Sequence, residues 1–204
     1  MALKKKFGPL CLVVVMLAIS ACTTVTSTSP VGFDTYVLDK DHWDGTWVTD
    51  DRAHEFSKDE WEGNWITVND SIQITVTSYV DSEIEINFLE KGELHSHKVL
   101  VRKIGKDSYL NLINDDGHYV FAKFRMRNKN RKRNKIIIWP PSDSVISKAF
   151  EDKELTGETR STGEYSGEIR INSDEETLNN FYSENRDRML FYYEDPIVML
   201  RISR

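Results

Sequence analysis

From Ile72 onward the chain alternates. Ile72, Ile74, Val76 and Ser78 interleave with Gln73, Thr75, Thr77 and Tyr79, and Ile84, Ile86 and Phe88 interleave with Glu83, Glu85 and Asn87. A period of two marks strands with one dry and one wet face. Lys91-Gly92 separates this run from His95–Ile104, Gly105-Lys106-Asp107 leads into Tyr109–Ile113, and Asp116-Gly117 is a hairpin signal before Tyr119–Met126. A polar basic loop then leads to Lys135–Trp139. Short strands joined by turns predict an antiparallel meander, closed or nearly so.

At Pro140-Pro141 the pattern changes. Ser142 can cap a short helix whose inner face holds Val145, Ile146, Ala149 and Phe150. Gly157, Gly163 and Gly167 read as loop breakers, and Ser166–Ile171 as another strand. Ser173-Asp174-Glu175-Glu176 has capping-box spacing before a helix striped by Leu178, Phe181, Tyr182 and Asn185. The chain ends as a predicted hairpin: Leu190–Tyr193, a turn at Glu194-Asp195-Pro196, and Ile197–Ile202.

The first residues follow different rules. Lys4, Lys5 and Lys6 precede an apolar run, Leu10–Ile19, and small residues precede Cys22. This is the layout of a secretory signal peptide, and the run is too short for a membrane span of roughly 20 apolar residues. Ile19-Ser20-Ala21-Cys22 resembles the lipobox of bacterial lipoproteins. The resemblance implies cleavage after residue 21 and acyl chains of the palmitate class on Cys22, enough for stable anchoring since one chain alone binds only marginally. In the Gram-negative members Asp after the cysteine favours the inner membrane, so Thr23 implies the outer one. Residues 22–32, rich in Ser and Thr, are expected to be a lipidated cysteine and a flexible tether with a reach of roughly 17 Å, and 33–204 a single β-rich domain.

Trp43-Asp44-Gly45-Thr46-Trp47 is echoed by Trp61-Glu62-Gly63-Asn64-Trp65, but the echo stops there. Between them, Asp51–Glu60 is polar, with a helical turn expected near Ser57. Gly45-Thr46-Trp47 resembles the Gly-x-Trp motif on the first strand of lipocalins, which implies that Trp47 enters a core. The expected fold is therefore mainly β: an antiparallel meander forming a lipocalin-like barrel or a strongly curved sheet, with two short helices in the C-terminal half. An open sheet packed on those helices is the alternative.

Charge and chemistry narrow the function. The 204 residues carry 27 basic and 33 acidic side chains, net −6. Cleavage would also remove Lys4, Lys5 and Lys6, and this acidity argues against nucleic acid as partner. With Cys11 in the leader and Cys22 lipidated, no cysteine pair remains for a disulfide. His95 and His97 share one strand face but lack a recognisable third zinc ligand, so they read as solvent-facing. Asn114-Asp115-Asp116-Gly117 reads as a turn, not a calcium loop. Ser142, Asp143 and Ser144 sit at a helix start without a nucleophile elbow. No catalytic, cofactor or metal residue is assigned. Arg125, Arg127, Lys129, Arg131, Lys132, Arg133 and Lys135 form a basic cluster in an acidic chain; Arg131, Lys132 and Arg133 are candidate contacts for an anionic partner, against a solvated hairpin tip that blocks aggregation. The expectation is a non-catalytic envelope lipoprotein on the periplasmic side of the outer membrane, a structural or binding module for an apolar ligand or an envelope protein. The alternative is an envelope hydrolase acting on cell-wall or lipid material.

Overall fold

A computed structural model describes residues 23–39, 43–49, 73–90, 93–129, 133–161, 167–186, 188–194 and 196–203. In chain order its strands are β1 (Thr23–Ser27), β2 (Asp34–Thr35), β3 (Gly45–Thr49), β4 (Gln73–Val80), β5 (Glu83–Glu90), β6 (Glu93–Ile104), β7 (Asp107–Ile113), β8 (Tyr119–Lys129) and β9 (Arg133–Trp139). Helix α1 (Asp143–Glu151) follows, then β10 (Gly157–Ser161), β11 (Gly167–Ile171), helix α2 (Glu175–Glu184) and β12 (Ile197–Ser203).

The alternating segments close into an eight-stranded antiparallel barrel of lipocalin-like form, in the order β3-β4-β5-β6-β7-β8-β9-β12 and back to β3. The last strand makes the closure, through rungs such as Met199↔Ile136 on one side and Met199↔Thr49 on the other. Closure satisfies both edges of every barrel strand, which an open sheet cannot do. β12 therefore does not form the expected hairpin with Leu190–Tyr193; that segment makes only the isolated bridge Pro141↔Phe191 and packs against the helices. Two barrel ends follow from the strand directions. At the base, β3 begins and β6 and β8 end; at the mouth, β3 ends and β6 and β8 begin.

A second core lies outside the barrel. Inward residues of β7 and β8 such as Leu110, Leu112, Val120 and Ala122 pack in the barrel. Their outward neighbours Tyr109 and Phe121 pack with α1, α2, β1 and β11 instead. Four successive residues, Tyr109–Leu112, are thus buried, as a strand covered on both faces requires.

The expected tether is part of this second core. Thr23–Ser27 pairs in parallel with β11, from Thr23↔Gly167 to Ser27↔Ile171, and briefly with the start of β8. Its β-branched Thr and Val residues suit a strand, and its partner lies over 140 residues away, beyond any local reading of Ser/Thr composition. The next turn is clamped. Asn111 Oδ1 accepts from the Val31 amide at 2.7 Å, its Nδ2 donates to the Val31 carbonyl at 3.0 Å, and Asn179 Oδ1 accepts from the Gly32 amide at 2.6 Å. Gly32 has φ +120, and a Cβ there would lie 2.3 Å from Arg102 Cβ, so only glycine fits.

Other local expectations also shift. Gly157 opens β10 rather than breaking the chain; a Cβ on it would fall 2.2 Å from Phe150 Cζ and 2.3 Å from the Arg170 carbonyl oxygen. Asp174, not Ser173, caps α2, accepting from the Thr177 amide at 2.8 Å, because the Ser173 hydroxyl is buried against the Thr156 amide. Ser142 precedes α1 as expected, but its hydroxyl pairs with Ser144 Oγ rather than a helix amide. The basic loop is mostly strand: β8 and β9 stay paired out to Lys129↔Arg133.

Asn111→Leu keeps the volume but orphans the Val31 amide and carbonyl in a dry site. Each orphaned group costs about 1–3 kcal/mol, so a denaturant melt should show a loss of that order, and a change below about 0.5 kcal/mol would refute the clamp.

Candidate functional site: the barrel cavity

The base is plugged from the sequence inward. Tyr36, Leu38 and Trp43 precede β3 and pack into the barrel core, with ring centroids 5.9 Å for Tyr36–Phe124 and 5.5 Å for Trp43–Phe124. Trp47, 1 % exposed, donates from Nε1 to the Trp43 carbonyl at 3.0 Å. Arg201 on β12 lies over the Trp47 ring at 5.7 Å and donates to the Asp44 carbonyl at 3.3 Å. One buried indole thus ties the first barrel strand to the last, in accord with the reading of Gly45-Thr46-Trp47. The echo at Trp61–Trp65 and the polar stretch Asp51–Glu60 lie outside the described residues.

Above this plug is a cavity of about 90 Å³ in the mouth half of the barrel. Ile86, Val99, Leu110, Leu112, Ile138 and Met199 form most of its wall, and Thr49 is its single polar residue. An apolar cavity of about 150 Å³ stays dry and admits benzene. A space of this smaller size suits a slim aliphatic segment better than a ring, and its walls offer dispersion contacts with almost no hydrogen bonding.

His95 and His97 lie at the mouth, and not on the solvent face. They share the parity of Val99 and Val101 and oppose Phe88 and Ile86. Both are half-buried. Burial lowers the pKa of His97; Asp115 in the β7–β8 turn opposes that shift, and neighbouring His95 adds to it. Among the described residues no group of three or more His, Cys, Asp or Glu side chains could hold a metal ion.

The remaining candidates have structural partners. Asn114 Oδ1 accepts from the His118 amide at 2.8 Å and shapes the turn. Asp143 accepts from the Ser144 amide at 2.6 Å and from the Tyr192 hydroxyl, whose pKa is raised by burial first and by this carboxylate second. Cys22, Arg131 and Lys132 lie outside the described residues, and Arg133 opens β9. Sequence reasoning missed Asn111 and Asn179. The one available signal was an amide in an otherwise apolar run, Tyr109-Leu110-Asn111-Leu112-Ile113.

Compared with known proteins, the chain matches no family model, no curated protein and no solved structure.

A folded-state pKa below the unfolded value of about 6.5 means that the unfolded chain binds the proton more readily. His97 therefore favours folding above about pH 6.5, and that contribution is lost as pH falls through the unfolded value toward the lowered folded one. His97→Gln should flatten the fall in denaturation midpoint between about pH 7.5 and pH 5; parallel curves for the two proteins would contradict the assignment.

Proposed function

We propose that this chain is a lipid-anchored, non-catalytic binding module of the bacterial envelope, held on the periplasmic side of the outer membrane, whose barrel takes a slim aliphatic group. The observation that carries the binding reading is the apolar cavity beneath the half-buried histidines, whose wall exposes apolar surface alone. Such a site recognises a ligand by shape and by apolar area removed from water, at about 25 cal/mol per Å². The lipobox-like Ile19-Ser20-Ala21-Cys22 supports the anchor. Among the described residues no helix is long and apolar enough to cross a membrane, so Cys22 carries the anchoring in this reading.

The test of binding uses the protein purified from its own membrane, with mass spectrometry of co-purified small molecules and titration with a fluorescent fatty acid. Val99→Phe places a ring in the cavity. It should abolish the fluorescence gain while leaving the thermal midpoint within a few degrees of the parent. Undiminished binding by this variant would overturn the cavity reading.

The anchor is tested separately. Cys22→Ala should prevent acylation, which mass spectrometry of the intact protein reads directly. A substituted chain with the same processing and the same acyl mass as the parent would overturn it.

A further inference from the structure

We propose that the outer face of the β8–β9 ribbon docks on an anionic lipid bilayer, the same one that holds the N-terminal anchor. The choice of a bilayer rests on the anchored reading above; the ribbon's charge does not.

Like charges meet along this ribbon. Arg127 stands opposite Lys135, and Lys129 opposite Arg133 two rungs further on. Arg125 and Arg127 are exposed and have the parity of the outward residues Phe121 and Lys123. Directly opposed like charges destabilise an antiparallel pair. Several other cations are matched: Lys98 with Glu83 at 2.9 Å, Arg102 with Glu175 at 3.2 Å, Arg170 with Glu168 at 3.2 Å and, largely buried, Lys123 with Asp107 at 3.0 Å; Lys103, Lys106 and Lys153 stand singly, not opposite another cation on a paired strand. Among the described residues Arg125, Arg127 and Lys135 have no carboxylate within salt-bridge distance. In a chain of net −6, three unmatched cations thus sit together on one face of a two-stranded ribbon. A sheet of anionic headgroups supplies the missing counter-charges as an array.

Strand direction selects the membrane over a soluble polyanion. β1 is antiparallel to β8, through Thr26↔Val120 and Ser27↔Tyr119. Traced toward its N-terminus, β1 runs the way β8 runs toward Lys129. Thr23 is the first residue of that strand and the residue after Cys22, so no slack separates anchor from fold. Acids at the base, Asp44 and Asp81 among them, lie toward β3–β5, and the β4–β5 turn is across the barrel from the β8–β9 ribbon. The attraction is thus one-sided, and it acts on the side where β1 branches from β8.

The experiment uses the full chain as purified from its membrane, mixed with vesicles of phosphatidylcholine alone or with added phosphatidylglycerol. Flotation with neutral vesicles reads the anchor. Amine-reactive labelling of Lys129 and Lys135, with exposed Lys148 on α1 as control, reads the ribbon. Labelling should slow on anionic vesicles only, and recover at high salt, where the Debye length falls to about 3 Å at 1 M. With Arg125, Arg127 and Lys135 all replaced by Gln, protection of Lys129 should disappear. At about 1 kcal/mol per charge, the anionic-over-neutral preference should fall roughly 100-fold. Melts without vesicles should be unchanged or raised, since a repulsive rung is removed. Failure to float on neutral vesicles sinks the anchor alone; a salt-sensitive, variant-sensitive preference for anionic vesicles would still uphold the ribbon. Equal labelling on the two vesicle types overturns the proposal, and so does protection by a soluble polyanion with none on vesicles.

Discussion

Between Val120 and Lys123 the edge of β8 changes partner, from β1 to β9. Up to this point both faces of the strand are covered, and beyond it the outward face is wet, at Arg125 and Arg127. Val120, Ala122 and Phe124 fill the barrel, while Phe121 meets Tyr182 of α2 edge-on at 5.7 Å. At the fork sits Lys123, paired with Asp107 at 3.0 Å and lying over the Tyr193 ring at 5.4 Å. The pair is mostly buried, at 16 % and 12 % exposed. A pair of this kind adds little net stability but is costly to break from one side. It serves to fix where the ribbon leaves one sheet and joins the other. The barrel, the second core and the direction of β1 all follow from that point.

The clamp on residues 31 and 32 is the counterpart of the fork. Once β1 has run beside β11 and met the start of β8, the chain must cross the outside of the barrel to reach its base. A crossing strap exposes backbone groups to an apolar surface, where unpaired amides are expensive. Asn111 and Asn179 meet that requirement from β7 and α2, one on each side of the strap. Gly32 lets the strap approach Arg102 closely, and Arg102 in turn donates to the Gly32 carbonyl and to Glu175 at the start of α2. The second core is thus closed by polar contacts as much as by apolar ones.

How much of this could be read from the chain depends on the range of the interactions. Barrel strands β4 to β9 were legible because alternation is local: Ile84 and Ile86 point inward as their spacing demands. The inner faces of α1 and α2 were legible for the same reason, in Ile146, Ala149, Leu178, Phe181 and Tyr182. β1 was not, since five residues of Thr, Val and Ser become a strand only when β11 offers an edge. The terminal pairing is not legible locally, because proximity favours a hairpin, whereas barrel closure pairs β12 with β3 and β9. The inward face of His95 and His97 is hidden by their polarity, although their parity is that of Val99. The cavity itself could not be read, since seven strands contribute its wall.

The barrel is also polar along its axis, and this ties the two functional proposals together. Aromatic residues and Arg201 fill the base; aliphatic residues leave space toward the mouth. In the binding reading proposed above, a Trp-plugged base leaves the end bearing His95 and His97 for exchange. The N-terminal end of β1 and the tip of the basic ribbon are directed toward the base. With both proposals in place, the barrel stands with its plugged end toward the membrane and its mouth away from it. Ligand would then arrive from the aqueous side or from a partner protein rather than by diffusion out of the supporting leaflet. Half-buried His97 at that mouth would make its charge sensitive to the pH of the same aqueous compartment.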